Sequence, residues 1–262
     1  MPFVETDGAR ISYEVVGEGE PLLLIMGWAA EARMWMMQTP VFSHRYRVIT
    51  FDNRGVGGST TDGEFDLQAM ARDARAVLDA TGTDRAHILG ISMGGAIAQH
   101  LVLEAPERVR TLTLAATWCA RNAYLTRLAE LGVRIYDELG PKALVSASML
   151  WLFSPHFLIE NAEFAAGIEA MFADVIPPRT AMMSQLDALL QHETRARLQE
   201  LSLPTLVMVG RRDVLVPPEL SKQIVDAVPH AEFEMLESGH AFNVEEADRF
   251  NQTVLAFLEK NA

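Results

Sequence analysis

Gly90-Ile91-Ser92-Met93-Gly94 stands between an apolar run, Ala86-His87-Ile88-Leu89, and the stretch Gly95-Ala96-Ile97-Ala98-Gln99-His100-Leu101-Val102-Leu103. The run reads as a strand and the stretch as a helix. G-x-S-x-G between a strand and a helix is a nucleophile elbow. Only small neighbours fit so tight a turn, and Gly90 and Gly94 let strand and helix approach without Cβ clashes. The turn pushes the Ser92 hydroxyl out above the sheet, where a base and a substrate can both reach it. A serine hydroxyl is a poor nucleophile until a base takes its proton, so an elbow calls for a base and an acid elsewhere in the chain.

Both follow in order. Leu206-Val207-Met208-Val209-Gly210 reads as a buried parallel strand, and Arg211-Arg212-Asp213 comes after it. Phe233-Glu234-Met235-Leu236 reads as another strand, ending in Glu237-Ser238-Gly239-His240. Ser, Asp, His, each on a loop after a strand, is the triad order of the α/β-hydrolase fold. Essentially the whole chain resembles that superfamily. Pro21-Leu22-Leu23-Leu24-Ile25-Met26-Gly27-Trp28 resembles the family's third strand and oxyanion loop. Asp52-Asn53-Arg54-Gly55-Val56-Gly57-Gly58-Ser59 resembles its glycine-rich turn after the fourth strand, and Pro204 to Asp213 and Gly239-His240 match its acid and base segments. One position departs: many relatives carry His-Gly in the oxyanion loop, and Met26 takes the histidine's place. A backbone N–H acts there, so the change bears on loop packing more than on chemistry.

The resemblance implies an α/β fold with a mostly parallel central sheet, helices on both faces and an inserted helical cap. The residues read the same way. Arg10 to Val16 alternates like a half-exposed strand. Leu22 to Met26 and Val48 to Phe51 are short continuous apolar runs, suited to strands covered on both faces. Helix-like segments alternate with them, notably Leu67 to Ala80 and Ala96 to Glu104, which argues a doubly wound sheet. No strand is predicted from about Trp118 to Gln199, a stretch rich in Met, Leu, Phe and Ala. Pro141, Pro155, Pro177 and Pro178 divide it into four predicted helices. The expected organisation is a core of residues 1–117 and 200–262 with a cap of 118–199. A final helix is expected over Val244 to Leu258.

Composition excludes several functions. Hydrophobic residues make up 49% of 262, enough for a large core, and the formal net charge is −13. So acidic a surface repels phosphate backbones and anionic membranes, so no nucleic-acid or membrane partner is expected. The start carries no basic and apolar leader and no stretch has membrane-spanning length, so a cytoplasmic protein is the expectation, as monomer or homodimer. Cys119 is the only cysteine; it reads as a small buried hydrophobe. No side-chain spacing suits a metal, no dinucleotide fingerprint occurs, and Asp52 to Ser59 lacks the lysine of a phosphate loop. The expected chemistry needs no metal and no cofactor.

Ser92 is therefore the expected nucleophile, His240 the general base and Asp213 the group that orients it. Some relatives place the acid after the sixth strand, where this chain has Ala115-Ala116-Thr117 and no carboxylate. The backbone N–H groups of Trp28 and Met93 are the expected oxyanion hole. His100 lies too far along the elbow helix to reach Ser92, while His156 or His192, in the cap, is a candidate to touch substrate. Trp28, Trp118, Met149, Trp151, Phe153 and Phe172 are the predicted pocket residues. Among the cap's large apolar side chains, which also include Phe157, Met171, Met182 and Met183, about a third are expected to face the pocket. Within the superfamily the chain looks most like small bacterial carboxylesterases and 3-oxoadipate enol-lactonases. A broad serine carboxylesterase acting on a small-molecule ester is the leading expectation. The cap arginines Arg121, Arg127, Arg134 and Arg179 are as well explained by a helix surface as by clamps for a carboxylate-bearing lactone. Alternatives on the same three residues are a lactonase, a carbon–carbon bond hydrolase and a perhydrolase. A ligand receptor on a hydrolase scaffold is the alternative outside enzymes.

Overall fold

A computed structural model describes residues 1–262. One sheet of eight strands runs through it: β1 (Phe3–Thr6), β2 (Ala9–Val16), β3 (Glu20–Ile25), β4 (Tyr46–Phe51), β5 (Ala86–Ile91), β6 (Val109–Ala115), β7 (Thr205–Gly210) and β8 (Glu232–Leu236). Their spatial order is β1-β2-β4-β3-β5-β6-β7-β8. β2 pairs antiparallel with β1 and β4, and every pair from β4 to β8 is parallel. Chain order reverses between β3, which leads out to β4, and β5, which starts the other half. Such a switch point opens a crevice at the carboxyl ends of the strands, where open α/β sheets bind ligands.

Alternate residues of β3 show how both faces are covered. Leu23 and Ile25 share a core with Met70, Val77, Ile97 and Leu101. Leu22 and Leu24 share the opposite core with Trp35, Phe42, Phe250 and Val254. Each such side chain contributes about 1.5–3 kcal/mol by leaving water, and a strand buried on both sides has no polar positions to alternate. The helices around the sheet are α1 (Thr39–Phe42), α2 (Leu67–Ala80) and α3 (Met93–Glu104). Then come five in succession, α4 (Ala123–Leu139), α5 (Pro141–Leu152), α6 (Pro155–Glu160), α7 (Ala162–Ala173) and α8 (Arg179–Leu190). Last are α9 (Pro218–Ala227), α10 (Phe242–Glu245) and α11 (Ala247–Lys260). No helix is long and apolar enough to cross a membrane.

Between β6 and β7 there is no strand, and the helices there number five rather than four. The added break falls at Asn161, φ −126° and ψ 40°, which ends α6 and begins α7 without a proline. The expected final helix is two, parted at Glu246 (φ −124°, ψ 47°). α3 begins at Met93, earlier than the expected start at Gly95 or Ala96, so Ser92 is its N-cap residue.

Candidate active site

Ser92 sits between β5 and α3 with φ 56° and ψ −123°, a left-handed backbone on a residue with a side chain. Its surroundings fix that conformation. The Ser92 N–H donates to Ala115 O at 2.8 Å, and Thr117 Oγ1 donates to Ser92 O at 2.8 Å. A Cβ on Gly90 would lie 2.3 Å from Gly94 O, and one on Gly94 2.1 Å from Ile25 O. Only glycine lets α3 start that close to β5 and β3. Ala29 and Ala116 are the other two non-glycine residues at positive φ. All three follow neighbouring strands at the switch point, so the backbone strain is gathered at one place.

His240 follows β8, and Asp213 follows β7. His240 Nδ1 lies 2.8 Å from Asp213 Oδ2, and both side chains are almost wholly buried. Asp213 Oδ1 accepts the backbone N–H groups of Leu215 at 2.9 Å and Val216 at 2.7 Å. The carboxylate is thus an acceptor at both oxygens, which assigns the imidazole proton to Nδ1 and leaves a lone pair on Nε2. Glu245 braces the loop from outside, accepting from Gly239 N, Ser154 N and Ser154 Oγ. It ties the histidine loop to the start of α6.

Ser92 and His240 open into one cavity of about 280 Å³. Trp28 lies there too, and a Cβ on Gly27 would come within 3.2 Å of Ser92 Cβ. The Trp28 backbone N–H has no acceptor within the chain. Met93 opens α3, so its N–H is one of the first-turn donors that a helix leaves unpaired. The Asp52–Ser59 segment is a structural turn, as expected: Asp52 accepts the Ala32 and Gly58 N–H groups, and Asn53 Nδ2 donates to Met26 O at 2.8 Å.

α4, α5, α7 and α8 all contribute to the cavity, and most of the lining is apolar. Of the predicted pocket residues, Trp28, Trp118, Trp151, Phe153 and Phe172 line it. Met149 does not: it packs with Phe153, Ala165 and Ile168 inside the helical segment. Phe157 stays out as well, stacked on Phe153 at 5.1 Å. Met171, Met182 and Met183 are at the wall, so most of the large apolar groups face the cavity rather than a third.

No arginine or lysine lines it. Arg179 is paired with Asp137 and Arg134 with Glu138, while Arg121 donates to Gln191 O. Neither His156 nor His192 lines the cavity. His192 is buried against His100, whose Nε2 lies 3.2 Å from its Nδ1. Cys119 is buried, and burial pushes its thiol up to about 11. Glu31, which sequence reasoning passed over, is the only carboxylate at the wall. Burial raises its carboxyl, and Asp52 adds to this against the opposing pull of Arg33. No sequence signal marks it, because a glutamate after Ala29-Ala30 reads as an ordinary loop residue.

The chain is similar in sequence and fold to several known proteins. A protein of Azorhizobium caulinodans that bears the name carbamate hydrolase RutD is 36% identical over 98% of both chains. A thermophilic esterase from Thermogutta terrifontis superposes with a TM-score of 0.88 at 25% identity over 99% of each chain. An enol-lactonase from Burkholderia xenovorans shares the fold, with a TM-score of 0.89 at 24% identity over 98% of this chain and 100% of its own. Residues 20–247 match the alpha/beta hydrolase fold family, and with an elbow serine, a buried His–Asp pair and a cavity shared by all three strand ends, the chain belongs to that family as a hydrolase.

Proposed function

We propose that the protein is a serine hydrolase of uncharged carboxylic esters, working through an acyl-enzyme. The observation that carries this is an apolar cavity, bare of cations, with Ser92 and His240 at its floor. Ser92 Oγ attacks the ester carbonyl carbon as its proton passes to His240 Nε2. Asp213, bonded to Nδ1, stabilises the imidazolium that forms. The Trp28 and Met93 N–H groups receive the oxyanion, aided at Met93 by the positive end of α3. The tetrahedral adduct collapses, His240 gives its proton to the departing alkoxide, and water then repeats the sequence on the acyl-enzyme. The helical segment of residues 118–199 serves as a cap that holds the acyl chain in a dry, adaptable wall of thioethers and aromatics. Fold alone would not choose the substrate; the apolar lining supports an uncharged one. A carboxylate-bearing lactone has no clamp here, since no arginine or lysine lines the cavity and Glu31 at the wall is paired with Arg33.

The name of the Azorhizobium relative favours a second reading, hydrolysis of a carbamate by the same attack. A carbamate ester differs from a carboxylic ester by a nitrogen beside the carbonyl and would meet the same groups.

Initial rates on p-nitrophenyl acyl esters of increasing chain length, a p-nitrophenyl carbamate and several lactones, beside Ser92→Ala, test both. Turnover of acyl esters, lost in Ser92→Ala, is the expected result. Turnover of the carbamate alone would replace the first reading by the second. A folded protein inactive on the whole panel would overturn both.

A further inference from the structure

Gln185 lies in the middle of α8 and is wholly buried, yet it does not line the cavity. Its Oε1 accepts the Ala29 backbone N–H at 2.9 Å, and its Nε2 donates to Arg54 O at 3.0 Å. The two partners fix which way the amide points. Ala29 directly follows Trp28 and holds φ at 56°. One turn earlier on the same helix, Met182 O accepts from Trp28 Nε1 at 3.0 Å. α8 therefore grips the oxyanion loop on both sides of the Trp28 peptide, once through the indole and once through the next amide.

The far end of this grip is rigid. Arg54 makes a bidentate ion pair with Asp73, at 2.6 and 2.7 Å, with both side chains buried. Gly55 lets α8 come close, since a Cβ there would lie 2.5 Å from Ala181 Cβ. A fully satisfied buried network of this kind holds its members in one arrangement. Without the Gln185 oxygen, the half-buried Ala29 N–H would lose its acceptor, and the positive-φ turn at Ala29 a restraint.

We propose that Gln185 is a positioning residue that aims the Trp28 N–H at the developing oxyanion, so that the helical segment over the site also sets its transition-state geometry. This rests on the reading of Ser92 as nucleophile and Trp28 as oxyanion donor. A group that aims an oxyanion donor acts on the transition state and leaves ground-state binding alone.

The test combines Gln185→Met, Gln185→Glu and Ser92→Ala, assayed on a p-nitrophenyl ester and with a trifluoromethyl ketone. That ketone adds Ser92 Oγ to its carbonyl carbon and places the resulting oxyanion in the hole. Gln185→Met is expected to lower kcat about 10- to 100-fold, with KM within about twofold and the ketone's Ki raised by the same factor as kcat falls. If that variant does not fold, Gln185→Glu carries the same test: it loses the donor to Arg54 O and sets a carboxylate oxygen against that carbonyl, so the grip on Ala29 is unseated, and kcat is expected to fall with Ki raised by the same factor. A folded variant whose kcat and Ki stay at wild-type values, or whose KM alone rises, overturns the proposal. Wild-type turnover by Ser92→Ala would instead overturn the reading of the site itself. An inactive Ser92→Ala beside a fully active Gln185→Met leaves the site standing and removes the role of Gln185.

Discussion

Ser92 and Asp213 carry opposite kinds of constraint. Ser92 holds a left-handed backbone at a cost of about 1–3 kcal/mol, offset by its bond to Ala115 O, the bond it accepts from Thr117 and the glycines beside it. Asp213 is held by donors: two backbone N–H groups on one oxygen and the imidazole on the other. In Asp213→Asn the amide oxygen can still take the Leu215 and Val216 N–H groups, but its NH2 then faces His240 Nδ1. The imidazole must turn to its other tautomer, with no lone pair left for Ser92. Turnover should fall by roughly 10⁴ with the melting temperature little changed, measured by ester assay and thermal melting. Gly94→Ala meets the other constraint. Its methyl would press on Ile25 O, so α3 and β3 must part. Overpacking of this kind costs about 1–3 kcal/mol or more, read as a lower urea midpoint together with lost activity. Near-normal stability in that variant would show that the elbow can relax.

At the scale of elements, side chains of like type in the helical segment do different work. Met149 is buried among Phe153, Ala165 and Ile168, off the cavity. Met149→Ala should lower stability by about 2–5 kcal/mol in chemical denaturation and leave the chain-length preference where it was. Phe172 is at the wall, so Phe172→Ala should move the optimum of an ester series to longer acyl chains; an unmoved optimum would place the acyl group elsewhere. That division was not legible in the sequence, because helical periodicity does not say which apolar stripe meets the cavity. The strands were legible because runs such as Leu22 to Ile25 and Val207 to Val209 are covered on both faces. β1 was passed over: its Phe3 to Thr6 alternate exposed and half-buried at the sheet edge, too short to form a pattern. The start of α3 at Met93 was hidden by Gly94, which looks like a turn residue but is there for close packing. Ser92, Asp213 and His240 were legible because each follows a readable strand. Gln185 and Glu31 were not, since a lone polar residue on a helix or loop reads as surface until its partners are known.

Across the whole molecule, the two ends of the helical segment are fastened to the core at a buried histidine pair. His100 on α3 meets His192 beyond α8, and His192 Nε2 lies 3.1 Å from Trp118 O beyond β6. Burial lowers His100 to about 4 and His192 to about 3, the latter also through its neighbour. Both are neutral when folded, whereas the unfolded chain takes up their protons near pH 6.5. The unfolded state therefore gains on the folded one as pH drops below 6.5, and continues to gain down to about 4 through His100 and about 3 through His192. Denaturant unfolding at pH 7 and pH 5 should show a loss of about 2–4 kcal/mol, reduced in His192→Gln; an equal loss in that variant would assign the acid sensitivity to other groups. The cavity has a consequence for what leaves it. Ester cleavage turns a neutral guest into a carboxylate, and it does so where no cation waits, with Glu31 at the wall and a chain of net charge −13 around it. An anion formed there gives up its hydration and finds only the N–H donors of the oxyanion hole, with no arginine or lysine at the wall to hold it, so the acid is released by the charge it has just acquired, and accumulating product should scarcely slow the enzyme.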